Sequence, residues 1–276
     1  MNNLPSVVQG SQLNKYCDDI ELHCSSGDLL LAQCGLQSDM DSVDFWLRTN
    51  QLSLSVGKSH VMLIGSRQKL RDSDLCINIS GKQFSRVPFL KYLGVYIDEN
   101  LTWQKHTQYV YQRVQSRLHC LYRLRPLSNE LLGKLYCAFV LPLLDYCDVV
   151  WSPSSVQYFK KFERIHSKFC SLIPATQSFL CHTLAERRRF HTAILVYRTL
   201  HQLSPAYLRE TFQYTTTVTS HVRRNSHRLF VPRVRTSYGK NSFYYKGTQI
   251  WNSMNASIYT AATLGQFKNL YKSHFS

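Results

Sequence analysis

Acidic residues are scarce in this sequence, and from Thr211 onward there are none, although the same stretch carries nine lysines and arginines. Glycine and proline are few as well, at 11 and 8 of 276 residues, which excludes a collagen-like or low-complexity chain. The nine cysteines form no Cys-x-x-Cys pair, so neither a zinc ribbon nor a zinc finger is indicated. No P-loop, Gly-x-Ser-x-Gly or His-Glu-x-x-His motif occurs, which removes the commonest signatures of nucleotide, ester and zinc-peptide hydrolysis. Residues 1–10 are polar and lack a basic lead, so no secretory signal is expected. The most apolar stretch, residues 135–151, contains Pro142, Asp145 and Asp148; it reads as a buried helix, since charges and a short length make a membrane span costly. These absences point to free thiols in a reducing compartment, cytoplasmic or nuclear, with no membrane partner.

What is present is a core and a strong charge. Hydrophobic residues make up 44% and aromatics 13%, enough to bury a sizeable interior. Lysine and arginine total 33 against 17 acids, a formal net charge of +16, and such a balance favours a polyanionic partner. The charge is segregated. Seven acids (Asp18, Asp19, Glu21, Asp28, Asp39, Asp41 and Asp44) fall among the first 50 residues beside only two bases, Lys15 and Arg48. An acidic head before a basic body is the pattern expected where carboxylates hold cations and another part holds phosphates.

The hydrophobic period changes along the chain. Around residues 14–24, two short alternating segments flank Asp18-Asp19, as in a β-hairpin with the acids at its tip. Leu36, Met40, Val43, Trp46 and Leu47 recur at helical spacing up to Asn50. Leu52, Leu54 and Val56, then residues 61–64, read as strands, and a further strand is expected over residues 89–98. The first hundred residues are therefore α+β. After Leu101, the spacing of Trp103, His106, Val110, Val114, Leu118 and Leu121 predicts a long amphipathic helix. Ser128 is a candidate N-cap for a second helix lined by Leu131, Leu135, Phe139 and Leu143. A third, residues 156–173, sets Phe159, Phe162, Ile165, Phe169 and Leu172 on one arc and Lys160, Lys161, Arg164 and Lys168 on the other. A fourth is expected from about Leu184 to Leu203. Beyond Thr211 the sequence suggests irregular structure or short strands, with Tyr238-Gly239-Lys240 as a turn and a last helix near residues 263–274.

Adjacent carboxylates at a hairpin tip can offer hard oxygen ligands to Mg²⁺, the arrangement that supports two-metal phosphoryl transfer. Tyr16-Cys17-Asp18-Asp19 resembles the Tyr-x-Asp-Asp motif of reverse transcriptases, and its surroundings resemble non-LTR (LINE-type) retrotransposon polymerases. The resemblance extends through residues 3–6, 46–54 with Lys58-Ser59, 89–98, 141–147 and 238–252. It implies a partial palm over 1–100, a helical thumb over 101–203 and a basic extension over 204–276. Asp18 and Asp19 would then be the catalytic, metal-binding carboxylates, with Mg²⁺ as cofactor. Lys91, Tyr92, Leu93 and Gly94 would shape the primer grip, and Lys58 would either assist the leaving group or stand as a surface lysine. An RNA template and DNA primer would be the partners, held by Arg113, Arg117, Lys160, Lys161, Arg164, Lys168, Arg187, Arg188 and Arg189. The family's other essential aspartate and its finger residues belong before the hairpin, and this sequence starts there. The expectation is an RNA-directed DNA polymerase portion inactive by itself. A non-catalytic nucleic-acid-binding remnant is the alternative, and a metal nuclease a weaker third.

Overall fold

The computed structural model describes residues 4–71, 73–124, 126–151, 156–171, 182–218 and 227–275. The chain divides into two compact units, one ending at Lys105 and the other beginning at His106. Its class is mixed α+β, with the strands all in the first unit among the described residues.

The first unit is built from hairpins around one helix. β1 (Gln12–Tyr16) pairs antiparallel with β2 (Asp19–His23), β3 (Cys76–Ile79) with β4 (Lys82–Ser85), and β5 (Phe89–Tyr92) with β6 (Val95–Asp98). Each pair is its own two-stranded sheet closed by two residues. Ser80-Gly81 and Leu93-Gly94 both run at positive φ (50° and 80°; 44° and 83°), the sense that matches the twist of paired strands. Helix α1 (Leu29–Thr49) starts where the Asp28 carboxylate accepts the Leu30 amide at 2.8 Å and ends at Asn50, as its pattern predicts. It buries Val43, Trp46 and Leu47 against Leu4, and its other side meets a second small core of Val61, Leu75, Ile77 and Ile79.

The strands expected at residues 52–56 and 61–64 do not form. Val56–Lys58 is a 3₁₀ turn held by the Lys58 amide on the Ser55 carbonyl, and Val61 makes only an isolated bridge to Arg86. Leu54 and Val61 still enter the core, so the apolar pattern marks burial without a paired partner strand. The short α2 (Arg67–Arg71) follows.

The second unit is helical. α3 (Gln104–Arg123) buries His106, Val110, Val114, Leu118 and Leu121, the stripe its sequence shows. α4 (Asn129–Phe139) is capped by Ser128, and α5 (Leu141–Asp145) carries Pro142 in its first turn, where the missing amide costs nothing. The expected lining of α4 is corrected: Gly133 and Tyr136 face inward, whereas Leu131 and Phe139 are 41% and 53% exposed. Tyr136 wins that face by stacking flat on Phe169 at 4.7 Å and reaching His166 with its hydroxyl. α6 (Val156–Cys170) buries Phe162 and Phe169 as predicted; Leu172 lies outside the described residues. α7 (Leu184–Leu200) opens with a reciprocal capping box between Thr183 and Glu186.

Beyond Thr211, residues 227–236 are irregular as expected, with an isolated bridge from Leu229 to Tyr214, and the last helix forms where it is expected; the rest of the described segment is more helical than its sequence suggests. α8 (Ala206–Arg209), α9 (Thr215–Val218), α10 (Ser237–Asn241), α11 (Phe243–Asn252), α12 (Ala256–Tyr259) and α13 (Leu264–Phe275) follow in order. Tyr238, Gly239 and Lys240 belong to α10, not to a free turn. These elements wrap α7, burying Phe190, Ala193, Val196 and Tyr197 with Phe212, Leu229, Trp251, Ile258, Phe267 and Tyr271 in one core. The break expected at residue 203 therefore falls inside a single unit. No helix among the described residues is long and apolar enough to cross a membrane.

Candidate functional site

The hairpin forms as its sequence suggests. Tyr16 faces Asp19 across the last rung, and Cys17-Asp18 make the turn, with Cys17 at φ 53°. Both carboxylates are exposed at the tip. Among the described residues no third histidine, cysteine, aspartate or glutamate clusters with them. Two adjacent carboxylates supply at most part of the six to eight oxygens that a hard divalent cation takes, so Asp18 and Asp19 alone do not complete a magnesium site.

The remaining acids of the head serve the fold. Asp39 is buried and accepts the amides of Gln9 (2.9 Å), Gly10 (3.0 Å) and Ser11 (2.6 Å); burial pushes its carboxyl up, but these bonds outweigh that and hold it below its ordinary value. Asp44 pairs with Arg48 at 2.7 Å and accepts Ser80 Oγ at 2.6 Å. Asp41 accepts Gln37 Nε2. Lys58 is exposed at the end of the 3₁₀ turn. Lys91 and Tyr92 end β5, Leu93-Gly94 is its turn, and Lys91 Nζ lies 5.7 Å from the centre of the Tyr96 ring. Asp98, at the end of β6, accepts the Thr102 and Trp103 amides at 2.8 and 2.7 Å and so directs the chain into α3.

In the second unit, α3 and α6 present a band of cations laid on tyrosines. Lys161 Nζ sits 5.2 Å from the Tyr111 ring and 5.3 Å from the Tyr158 ring, and those two rings meet edge to face at 5.5 Å. Lys168 Nζ lies 5.0 Å over Tyr122, and Arg113 lies 5.6 Å over Tyr109 while its Nη1 donates to that hydroxyl at 2.9 Å. Lys160, Arg164 and Lys168 are exposed at four-residue intervals, hence on one face of α6 at roughly 6 Å steps along its axis. Arg117 turns back to donate to the Phe139 carbonyl. Such pairs hold each cation in place while leaving it at the surface, and each half-buried ring keeps an apolar plane beside it.

The three consecutive arginines at the start of α7 separate. Arg187 is only 5% exposed and forms a two-pronged pair with Asp145, Nε to Oδ1 at 3.2 Å and Nη2 to Oδ2 at 2.5 Å, so it is withdrawn from any external phosphate. Arg188 is half-buried, donating Nε to the Asp148 carbonyl at 2.8 Å and lying 5.5 Å from the Trp151 ring. Arg189 is exposed and interacts with the Tyr271 hydroxyl. His191 Nδ1 meets Asp148 Oδ2 at 2.7 Å. Asp145, Asp148 and His191 bring their ligand-type atoms within 4.8 Å of one another. With Arg187 already on Asp145 and Arg188 alongside, the group stands as a charge-balanced network that ties α5 to α7. The sequence carried a signal for it: two aspartates inside an apolar run must find cations.

One comparison with known proteins gives a likeness. Over 172 residues, 60% of this chain, it is 26% identical to the RNA-directed DNA polymerase from mobile element jockey of Drosophila funebris, and the match spans 18% of that protein's length. No family model matches, and no solved structure matches. The likeness relates the chain, distantly, to LINE-type retrotransposon reverse transcriptases.

Proposed function

We propose that this chain is the C-terminal portion of a LINE-type reverse transcriptase, comprising part of a palm, a helical thumb and a basic extension, and that alone it binds nucleic acid without polymerising. The observation that carries this reading is the cation-on-tyrosine band of α3 and α6, which offers ordered positive charge beside flat aromatic surface. The distant likeness to the jockey polymerase and the Asp18-Asp19 hairpin supply the family context. In that context the partners are an RNA template and a DNA primer, and Mg²⁺ would be held in part by Asp18 and Asp19. Arg187 drops out of the contact set, and Arg117 and Arg188 are turned onto the Phe139 and Asp148 carbonyls, which leaves Arg113, Lys160, Lys161, Arg164, Lys168 and Arg189.

The test is binding of a labelled primer–template duplex to the full chain across a salt series. Affinity should fall steeply with added salt, and Lys161→Ala with Lys168→Ala should weaken it roughly tenfold and flatten the slope by about one to two released ions. Salt-independent binding, or an unchanged slope in the double variant, refutes the reading. Primer extension with Mg²⁺ should be absent; nucleotide incorporation abolished by Asp18→Ala would overturn the inactivity and assign catalysis to the hairpin.

A further inference from the structure

Residues 227–236, leading into α10, have no regular secondary structure, yet their backbone is tied down along its length. Thr215 donates its amide (2.9 Å) and its hydroxyl (2.8 Å) to the Arg228 carbonyl, and Phe230 donates to the Gln213 carbonyl at 2.7 Å. Asn252 of α11 bonds both the amide and the carbonyl of Leu229, at 2.9 and 2.8 Å. Further on, Val234 lies against α10, where a Cβ on Gly239 would come within 3.0 Å of Val234 Cβ. Exposure alternates over this stretch: Val231, Arg233 and Arg235 are exposed, Pro232 and Val234 half-buried, the two-residue period of an extended chain. Arg233 and Arg235 therefore leave on one side, opposite Val234, with their Cα atoms roughly 6–7 Å apart.

The cations described above are engaged, Arg48 by Asp44, Lys134 by Glu130, Arg187 by Asp145, and Lys161 and Lys168 by tyrosine rings. Here they are not. Arg228, Arg233, Arg235 and Lys240 are all exposed, and none makes a side-chain hydrogen bond, ion pair or ring contact among the described residues. No acid occurs from Thr211 onward, so none near them in sequence balances the charge. Tyr238, three residues past Arg235, is 39% exposed, and its hydroxyl has no partner among the described residues. Unbalanced cations on a tethered segment attract a polyanion. We infer that residues 228–240 form a second nucleic-acid contact, for a single strand. The arginine forks take neighbouring phosphates, and the Tyr238 ring takes the face of an unpaired base. The inference rests on the nucleic-acid reading above for the nature of the polyanion, but it shares no residue with the band on α3 and α6.

Titration of the full chain with a labelled oligouridine across a salt series tests this. Arg233→Gln with Arg235→Gln should weaken binding roughly tenfold and lower the salt slope by about 1.4. Arg233→Lys with Arg235→Lys, which keeps the charge, should keep the slope. Arg67→Gln with Lys69→Gln removes the same charge from exposed positions on α2 and should cost less than about twofold. Tyr238→Ala should weaken oligouridine binding about fivefold and leave a primer–template duplex unaffected, because paired bases offer no free face. Unchanged oligouridine affinity in Arg233→Gln with Arg235→Gln, or an equal loss in the α2 variant, overturns the inference. So does a loss in the arginine variant on phosphatidylserine vesicles but not on oligouridine, which would make the segment a membrane contact. Equal losses on oligouridine and duplex in Tyr238→Ala overturn the single-strand assignment. The two surfaces fail separately: if Lys161→Ala with Lys168→Ala leaves duplex binding unchanged, the band is refuted, while the arginine variants still decide this segment.

Discussion

His106 is buried on α3 with its ring edge-on to Trp151 at 4.9 Å, and burial pulls its imidazole down to about 4. An unfolded histidine titrates near 6.5, so between those values the unfolded chain takes up a proton that the native state refuses. Stability is therefore full above about pH 6.5 and falls as the pH drops toward 4. His166 acts in the same direction, lowered by burial. Its Nε2 faces the His182 carbonyl at 2.8 Å, which can only accept, so Nε2 carries the hydrogen and Nδ1 accepts from the Tyr136 hydroxyl at 2.9 Å. Urea unfolding of the helical unit should show a loss on the order of 2 kcal/mol from His106 between pH 7 and 4.5, with His106→Gln flattening the dependence. A profile that stays flat in wild type would contradict this assignment. At this scale the sequence is least legible. Arg187, Arg188 and Arg189 are the same letter three times, yet one is buried, one half-buried and one exposed. Successive residues turn by about 100° on a helix, so a charge run must touch the core somewhere. Only Asp145 and Asp148, acids stranded in an apolar stretch, hinted at which arginine would go in.

Gly247 shows what an element demands. α11 approaches α7 until a methyl group would meet Val196 Cγ2 at 2.9 Å and Phe212 Cζ at 3.3 Å. Gly247→Ala should cost about 1–3 kcal/mol by overpacking, despite alanine's better helix propensity, and Val196→Ala should recover part of the loss in the double variant. Denaturant midpoints of the four proteins decide it; additive losses would place the cost elsewhere. The long helices were readable because each carries several turns of regular spacing: α1, α3 and α6 bury or half-bury the positions their periodicity marks among the described residues. The short helices after residue 204 were not, because four- and five-residue segments have no period to detect. They owe their shape to side-chain caps, Thr236 on the Gly239 amide and Ser242 on the Tyr245 amide, and to aromatics that dock on α7. The β3–β4 hairpin was equally hidden, its four-residue strands closed by Ser80-Gly81.

The two units differ in how much interior they own. Among the described residues, the helical unit has a contiguous cluster of twelve buried side chains, whereas the clusters in the hairpin unit hold four each. Leu30, Leu31 and Phe45 of α1 stay about 70% exposed, and every hairpin leaves its outer strand edges unpaired by any further strand among the described residues. Amide hydrogen exchange should reach the unit ending at Lys105 first, with the slowest amides in α7. Early exchange across α7, or limited proteolysis that removes the helical unit first, would reverse the ranking. The charge segregation was legible from composition alone, but not its use. In the structure Asp28 caps a helix, Asp39 anchors a loop and Asp44 holds Arg48, which leaves Asp18 and Asp19 as the exposed pair at the hairpin tip. The three two-residue hairpins carry one more consequence, for time rather than energy. Each strand finds its mate without closing a long loop, so each pairing can form in about 1–10 μs, and a nascent chain could complete each one as soon as its second strand emerged. The slow step of this unit is then the gathering of the β1–β2 and β3–β4 hairpins onto α1.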